Sequence, residues 1–228
     1  LPLIGDEICN KANVITIPAG DANKNLETLS FVWSELQKGG ATRNSLMINL
    51  GGGVVTDLGG FAATTFKRGI RFINVPTTLL SAVDAAVGGK TGINFNGLKN
   101  EIGAFREADA VLIATAFLKT LPENEIKSGY AEMLKHGLLS NYKSYRKLIE
   151  YNISELSEDR LLTLLEESVG VKRNIVEQDP FEKGLRKALN LGHTAGHAFE
   201  SMALKNGKPI PHGYAVAWGL VCELYHSH

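Results

Sequence analysis

Apolar residues recur along this chain with two different periods, and the period changes once. Up to Ala114, short apolar runs alternate with amphipathic stretches. Asn13-Val-Ile-Thr-Ile-Pro18, Ser45-Leu-Met-Ile-Asn-Leu50, Arg71-Phe-Ile-Asn-Val75 and Ala110-Val-Leu-Ile-Ala114 read as strands. Between them, Asn25 to Lys38 (closed by Gly39-Gly40), Val54 to Phe66 and Pro76 to Ala86 carry the helical period. Strand alternating with helix predicts a parallel sheet covered on both faces. After Ala114 only the helical period remains, over Glu123 to Leu139, Lys143 to Tyr151, Arg160 to Val176, Lys183 to Ala203, and Tyr214 to the end. The change falls between Thr115 and Pro122. The expected fold is therefore an α/β domain over residues 1–118 and an all-helical domain over residues 119–228. The pattern opens without a leading strand and stops in mid-helix at His228, so further sequence is expected at one or both ends.

Composition narrows the function classes. With 228 residues, 44% of them hydrophobic, the chain can bury a large core in one or two domains. Lysine and arginine number 24 against 24 acidic residues, so no net field favours nucleic acid or an anionic membrane. No long uncharged apolar run or signal-peptide pattern occurs, and Cys9 and Cys222 lack metal-type or disulfide-framework spacing. A soluble protein of the reducing cytoplasm is expected.

Two stretches of the first half suit a phosphate. The second strand runs into Gly51-Gly52-Gly53 and then a helix, with Asp57 about one turn in. Glycines let backbone approach an anion closely, and a helix N-terminus supplies unpaired N–H groups and partial positive charge. The spacing departs from Gly-x-Gly-x-x-Gly, and three glycines alone serve a plain tight turn equally well. Pro76-Thr77-Thr78 ends the next strand at the same sheet edge, where ligands of open α/β sheets gather. Further on, Val87-Gly88-Gly89-Lys90-Thr91-Gly92 and Gly97-Leu98-Lys99-Asn100 place two lysines and an asparagine in a glycine-rich segment. Without those lysines it would read as a hairpin. Asp84 precedes it and is placed to pair with Lys90.

The second half carries the metal-type residues. In Arg186-Lys-Ala-Leu-Asn190-Leu-Gly-His193-Thr-Ala-Gly-His197, read as one helix, the two histidines share a face, with Asn190 and Arg186 continuing the line. His212 follows in Pro209-Ile-Pro-His212. Paired histidines by themselves fit a polar groove; three imidazoles with an upstream carboxylate fit a zinc-type ion. Glu125, Glu132 and Lys135 lie on one helix, where a surface ion pair is the ordinary outcome. The neighbours Gly129-Tyr-Ala131 and Met133-Leu134 make that helix apolar, so a carboxylate there needs a cation. His136 is given no chemistry.

Taken together, Gly51-Gly-Gly-Val-Val-Thr-Asp57, Lys67-Arg68-Gly-Ile-Arg, Val75-Pro-Thr-Thr-Leu-Leu80, Val87-Gly-Gly-Lys90-Thr91, Lys99-Asn100-Glu-Ile-Gly-Ala-Phe105, Tyr130-Ala-Glu132 and Leu189-Asn190-Leu-Gly-His193-Thr-x-Gly-His197 resemble the 3-dehydroquinate synthase family of sugar phosphate cyclases. The resemblance runs from about Ile17 to the C-terminus. It implies an NAD⁺-binding parallel-sheet domain, a helical metal-binding domain, an active site between them and a homodimer. Glu132, His193 and His212 would bind Zn²⁺ or Co²⁺, leaving His197 near the reacting hydroxyls. Gly51, Gly52, Asp57, Thr77, Thr78, Leu80, Phe117, Thr120, Leu121 and Glu125 would line the NAD⁺ site, with Asp21 and Lys24 nearby. Lys90, Asn100 and Arg68 would hold a substrate phosphate, Arg68 from the partner subunit. Lys172, Arg186 and Asn190 would bind the carboxylate and hydroxyl end. Asp84, Lys99 and Lys135 would complete the pocket, Lys90 and Lys99 also neighbouring the cofactor. Asp21 stands where the family usually has glutamate, and Ala195 where it usually has phenylalanine.

The implied reaction converts 3-deoxy-D-arabino-heptulosonate 7-phosphate to 3-dehydroquinate and phosphate by transient oxidation, elimination, re-reduction and ring closure. A metal-dependent polyol or alcohol dehydrogenase of the same fold is the nearest rival, and it has no use for Lys90, Asn100 and Arg68 around a phosphate. A cyclase for another phosphorylated ketose, or an NAD-binding module without catalysis, are the other readings.

Overall fold

The computed structural model describes residues 10–151, 153 and 157–227; Cys9 and His228 lie outside them. Asn25 starts the first helix, its side-chain oxygen accepting from the Thr28 N–H at 2.9 Å. Helix α1 (Leu26–Lys38) buries Leu29 and Val32. Strand β1 (Leu46–Gly51) follows, then α2 (Gly53–Thr65) and β2 (Arg71–Pro76). Strands β3 (Lys90–Phe95) and β4 (Leu98–Phe105) form an antiparallel hairpin, and β5 (Ala110–Val111) is short. Asn96 and Gly97, at φ 49° and 79°, make the tight turn that a two-residue hairpin loop requires.

The parallel sheet has the order β1-β2-β5. Its register pairs Leu50 with Val75 and Gly51 with Pro76, so the glycine turn and the Pro76-Thr77-Thr78 turn leave the sheet side by side. The Thr77 N–H donates to the Gly51 carbonyl at 2.9 Å and joins them. Beneath, buried Asn49 donates to Asn74 at 2.9 Å. One core cluster joins Leu29, Val32, Leu58, Phe61, Ala62 and Ile93, tying the hairpin to α1 and α2.

The remainder is helical: α3 (Glu123–Ser140), α4 (Tyr142–Glu150), α5 (Glu158–Gln178), α6 (His193–Lys205) and α7 (His212–His226). Its core, with Ile126, Met133, Leu164 and Leu165, also takes in Leu79 and Val83 from the segment after β2. Each such burial contributes about 1.5–3 kcal/mol, so the two halves are joined by apolar packing as well as by the chain. Helices α3, α6 and α7 approach closely because small residues face each other. A Cβ on Gly213 would stand 1.9 Å from the Ser128 carbonyl, and one on Gly219 1.9 Å from that of Gly192.

Three expectations from the sequence change. Asn13 to Pro18 pairs with no strand among the described residues; Ile15 and Ile17 pack on the Leu29 core. Pro76 to Ala86 is not one helix: Pro76 ends β2, and only Ser81–Ala85 forms a single π-helical turn, with Ser81, Ala82 and Val83 buried. Lys183 to Ala203 breaks in the middle. The Asp179 carboxylate accepts from the N–H groups of Lys183, Gly184 and Arg186 at 2.9, 2.7 and 3.0 Å. The chain then makes a 3-10 turn over Leu185–Asn190, and Gly192 takes φ 80° before α6 begins. A side chain at that φ is strained, and here its Cβ would also meet Leu220 at 2.8 Å. Arg186 and Asn190 therefore do not share a helix with His193 and His197.

Candidate active site

The histidines meet because three helices do. His193 is the first residue of α6 and His212 the first of α7, while Glu132 lies in the middle of α3. Glu223 of α7 accepts from the N–H groups of Gly192 and Ala195 at 2.6 and 3.0 Å, capping α6 and fixing its start. Glu132 is fully buried; its Oε1 has no hydrogen-bond donor. That oxygen stands 3.5 Å from His193 Nε2 and 3.7 Å from His212 Nε2. One carboxylate and two imidazoles, their ligand atoms within 4.8 Å of one another, are a donor set that a zinc-type ion fits. An orphaned buried carboxylate oxygen is otherwise costly. The other oxygen, Oε2, pairs with buried Lys135. The pair thus lies in the core, as the apolar neighbours on that helix suggested, and not at the surface.

The carboxylates and lysines behind the cluster hold one another. Lys172 of α5 pairs with Asp84, also donating to its carbonyl at 2.6 Å. Burial opposes the charge on Asp84, but Lys172 and Lys135 outweigh it and hold the carboxyl well below the usual range. Asp84 therefore pairs with Lys172 and not with Lys90, as expected from sequence; Lys90 reaches Glu182 instead. His136, the ring left without a role, is fully buried with Nδ1 2.8 Å from Ser168 Oγ. Burial, aided by the Lys135 charge, pushes it down to about 3.

His193 is lowered chiefly by burial, and His197, although its side chain is exposed, is lowered chiefly by partial desolvation at the cleft wall. His212 goes the other way: burial lowers it, but its bond to Glu200 and the charges of Glu132 and Glu200 raise it above the ordinary value. Its Nδ1 is 3.3 Å from Glu200 Oε1, leaving Nε2 toward Glu132. Glu200 also meets Lys99 at 3.4 Å and His197 at 4.0 Å. Burial raises its carboxyl, yet His212 and Lys99 bring it down to about 2.

Beside them opens one cleft of about 520 Å³, with Asp57, Asp84, Lys90, Asn100, Lys135, Lys172, Arg186, Asn190, His193, His197 and His212 in its wall. Lys24 is buried behind it, 2.5 Å from both Asp57 and Asn100. Arg186 is buried too, donating to the Gly88 and Pro180 carbonyls at 2.7 Å each. At the sheet edge, Gly52 opens α2 with no side chain capping the helix. A Cβ on Gly52 would stand 3.1 Å from Thr78, so the turn is a narrow backbone cradle of the kind a pyrophosphate needs. Asp21 and Lys99 are exposed at the rim, 3.8 Å apart. Leu80 lies against α3 at Gly129. Phe117 and Thr120 sit on the turn Thr115–Thr120, Leu121 packs into the helical core and Glu125 is in the first turn of α3; none of them lines this cleft. Arg68 is exposed, past the far end of α2, outside the cleft of its own chain. Sequence reasoning gave no role to Glu182 and Glu200. Glu200, three residues after His197, carried a spacing that could have revealed it; Glu182 carried none.

The fold matches 2-deoxy-scyllo-inosose synthase complexed with carbaglucose-6-phosphate, NAD⁺ and Co²⁺, at TM-score 0.82 and 28% identity over 92% of this chain and 58% of that one. It matches 2-epi-5-epi-valiolone synthase from Streptomyces hygroscopicus, solved with NAD⁺ and Zn²⁺, at TM-score 0.74 and 28% identity over 90% and 57%. More narrowly, the family descriptions 3-dehydroquinate synthase N-terminal and C-terminal match residues 14–128 and 129–228, and the chain belongs to the 3-dehydroquinate synthase family. The 3-dehydroquinate synthase of Parabacteroides distasonis is 55% identical over all of this chain, which spans 65% of that relative's length. The chain thus covers less than two thirds of the curated relative. Among the described residues, no helix is long and apolar enough to cross a membrane.

Proposed function

We propose that this chain forms the active site of a 3-dehydroquinate synthase, acting on 3-deoxy-D-arabino-heptulosonate 7-phosphate in the cytoplasm as a homodimer. The observation that carries the reading is one cleft whose wall holds His193 and His212, which meet the buried Glu132 behind them, together with Lys90 and Asn100. In this reading residues 1–118 hold the cofactor and residues 119–228 the metal.

Glu132, His193 and His212 would hold the divalent metal, with Glu200 setting the His212 tautomer. The glycine turn, Thr77 and Thr78 would hold NAD⁺, with Asp57, Lys24, Asp21, Leu80, Phe117, Thr120, Leu121 and Glu125 around it. When bound, NAD⁺ supplies reversible hydride acceptance and the metal Lewis acidity, which for a coordinated water is on the order of 10 kcal/mol. Lys90 and Asn100, joined by the partner's Arg68, would hold the phosphate. Lys172, Arg186 and Asn190 would take the carboxylate and hydroxyl end. His197, in the cleft wall with its side chain exposed, would accept a hydroxyl proton at a ring nitrogen. Asp84 and Lys135, each locked in a buried pair, fix the charge pattern of the floor.

Full-length protein with catalytic NAD⁺ should release stoichiometric phosphate from the heptulosonate phosphate without lasting NADH absorbance. Steady NADH accumulation on a simple polyol, with no phosphate released, would establish the dehydrogenase reading instead. Turnover of a phosphorylated hexose in preference to the heptulosonate would assign the chain to another cyclase.

A further inference from the structure

The anion that Lys90 holds in this structure belongs to the protein. Glu182 sits in the turn between α5 and α6 at φ 56°, a left-handed conformation that costs a non-glycine residue energy and is kept where surrounding contacts impose it. Asp179 pins the turn through the N–H groups of Lys183 and Gly184 at 2.9 and 2.7 Å. The Glu182 carboxylate then bridges the cleft. Its Oε2 pairs with Lys90 on β3, and its Oε1 accepts from Asn190 Nδ2 at 2.8 Å. The Glu182 side chain is 20% exposed, while that of Lys90 is 50% exposed and so remains reachable by a solute. Asn190, the second group it engages, also lines the cleft.

We infer that Glu182 is a built-in competitor for phosphate at Lys90: a phosphate ester displaces it, and it re-pairs with Lys90 as free phosphate departs. The inference rests on the assignment of phosphate to Lys90 made above. A phosphate dianion outbids a carboxylate for an ammonium group by charge, whereas a neutral hydroxyl or a monoanionic carboxylate gains little by displacing one already in place. The pair thereby favours phosphorylated ligands over unphosphorylated analogues. Because it spans the hairpin of one half and the α5–α6 turn of the other, breaking it also frees both cleft walls at the phosphate end. No atom of the protein is consumed and no proton needs to move.

The test is calorimetric binding of inorganic phosphate to the protein and to its Glu182→Gln, Lys90→Ala and double variants. Glutamine keeps the shape and can still accept from Asn190 but presents no charge to Lys90. Glu182→Gln should bind phosphate roughly 3- to 10-fold tighter, the worth of a partly exposed ion pair. It should also dissociate phosphate more slowly. Lys90→Ala should bind weakly whether residue 182 is Glu or Gln, because the competitor acts only through Lys90. A merely structural Glu182 would leave affinity unchanged or lowered in Glu182→Gln, and either result with Lys90 dependence intact overturns the inference while the phosphate assignment survives. Unaltered phosphate binding in Lys90→Ala would overturn both. Circular dichroism of each variant shows that it is folded, and Glu182→Asp, too short to span both partners, gives a second, intermediate value.

Discussion

The glycine turn at the sheet edge and the helical side of the cleft are built by opposite means. The turn offers backbone: no side chain caps α2 at Gly52, and what recommends it is the missing Cβ beside Thr78. The helical side offers side chains: Glu132, Lys135 and Lys172 are all nearly inaccessible, and each is ionisable. A backbone site is damaged by adding atoms and is nearly indifferent to pH. A buried side-chain site is damaged by removing atoms and is sensitive to proton uptake, since a buried charge is tolerated only with its partner. The two should accordingly fail in different ways.

The sharpest contrast is in metal content. His193→Ala removes one of three donors, so purified variant should carry metal only at background level by elemental analysis, while Gly52→Val retains it; equal occupancy in both would dissolve the distinction. Next in size is Lys172→Met, which leaves the partly buried Asp84 without its ammonium partner. Urea unfolding should show a loss of roughly 2–3 kcal/mol, below that of a fully buried pair because water can still reach Asp84. A loss under 1 kcal/mol would mean that Lys135 alone compensates Asp84.

His136 supplies the pH arm. The folded chain holds this ring near 3, whereas the unfolded chain protonates it near 6.5. The folded value being the lower one, the stability is complete above pH 6.5 and is lost as pH falls through it. The loss should be roughly 2 kcal/mol at pH 5. The urea midpoint measured from pH 7.5 to 5 should fall accordingly, and His136→Gln should flatten the curve. A slope unchanged by the substitution would place the acid sensitivity elsewhere. Smallest of the four is Gly52→Val itself, which crowds Thr78 at the cradle. Overpacking there costs about 1–3 kcal/mol, or about 5- to 150-fold in NAD⁺ affinity by titration calorimetry. Unchanged affinity would remove the glycine turn from the nucleotide site.

The contrast also explains what could be read before any coordinates. The glycine turn, the Thr77-Thr78 turn and the strands feeding them were legible because a cradle of backbone is local: strand, glycines and helix follow one another in sequence. The Asn25 cap of α1 and the Asn96-Gly97 hairpin turn are equally local. Periodicity misjudged Lys183 to Ala203 because it counts spacing and takes no account of the Asp179 carboxylate capturing three N–H groups at once. It likewise took Asn13 to Pro18 for a strand, since alternation reports burial of one face and not whether a ladder partner exists. Glu182 stayed hidden because its partners, Lys90 and Asn190, come from separate elements.

Sequence by itself determined the elements, the change from alternating to purely helical architecture, and through a run of short motifs the family. Tertiary structure alone decided which charge faces which. Asp84 pairs with Lys172 and not with Lys90, and Glu132, paired with Lys135, lies buried between His193 and His212. Backbone preferences act between neighbours, so they are written in order along the chain. Electrostatic pairing acts across whatever distance packing leaves, and here the distances were set by glycines at 213 and 219 letting three helices close on one carboxylate.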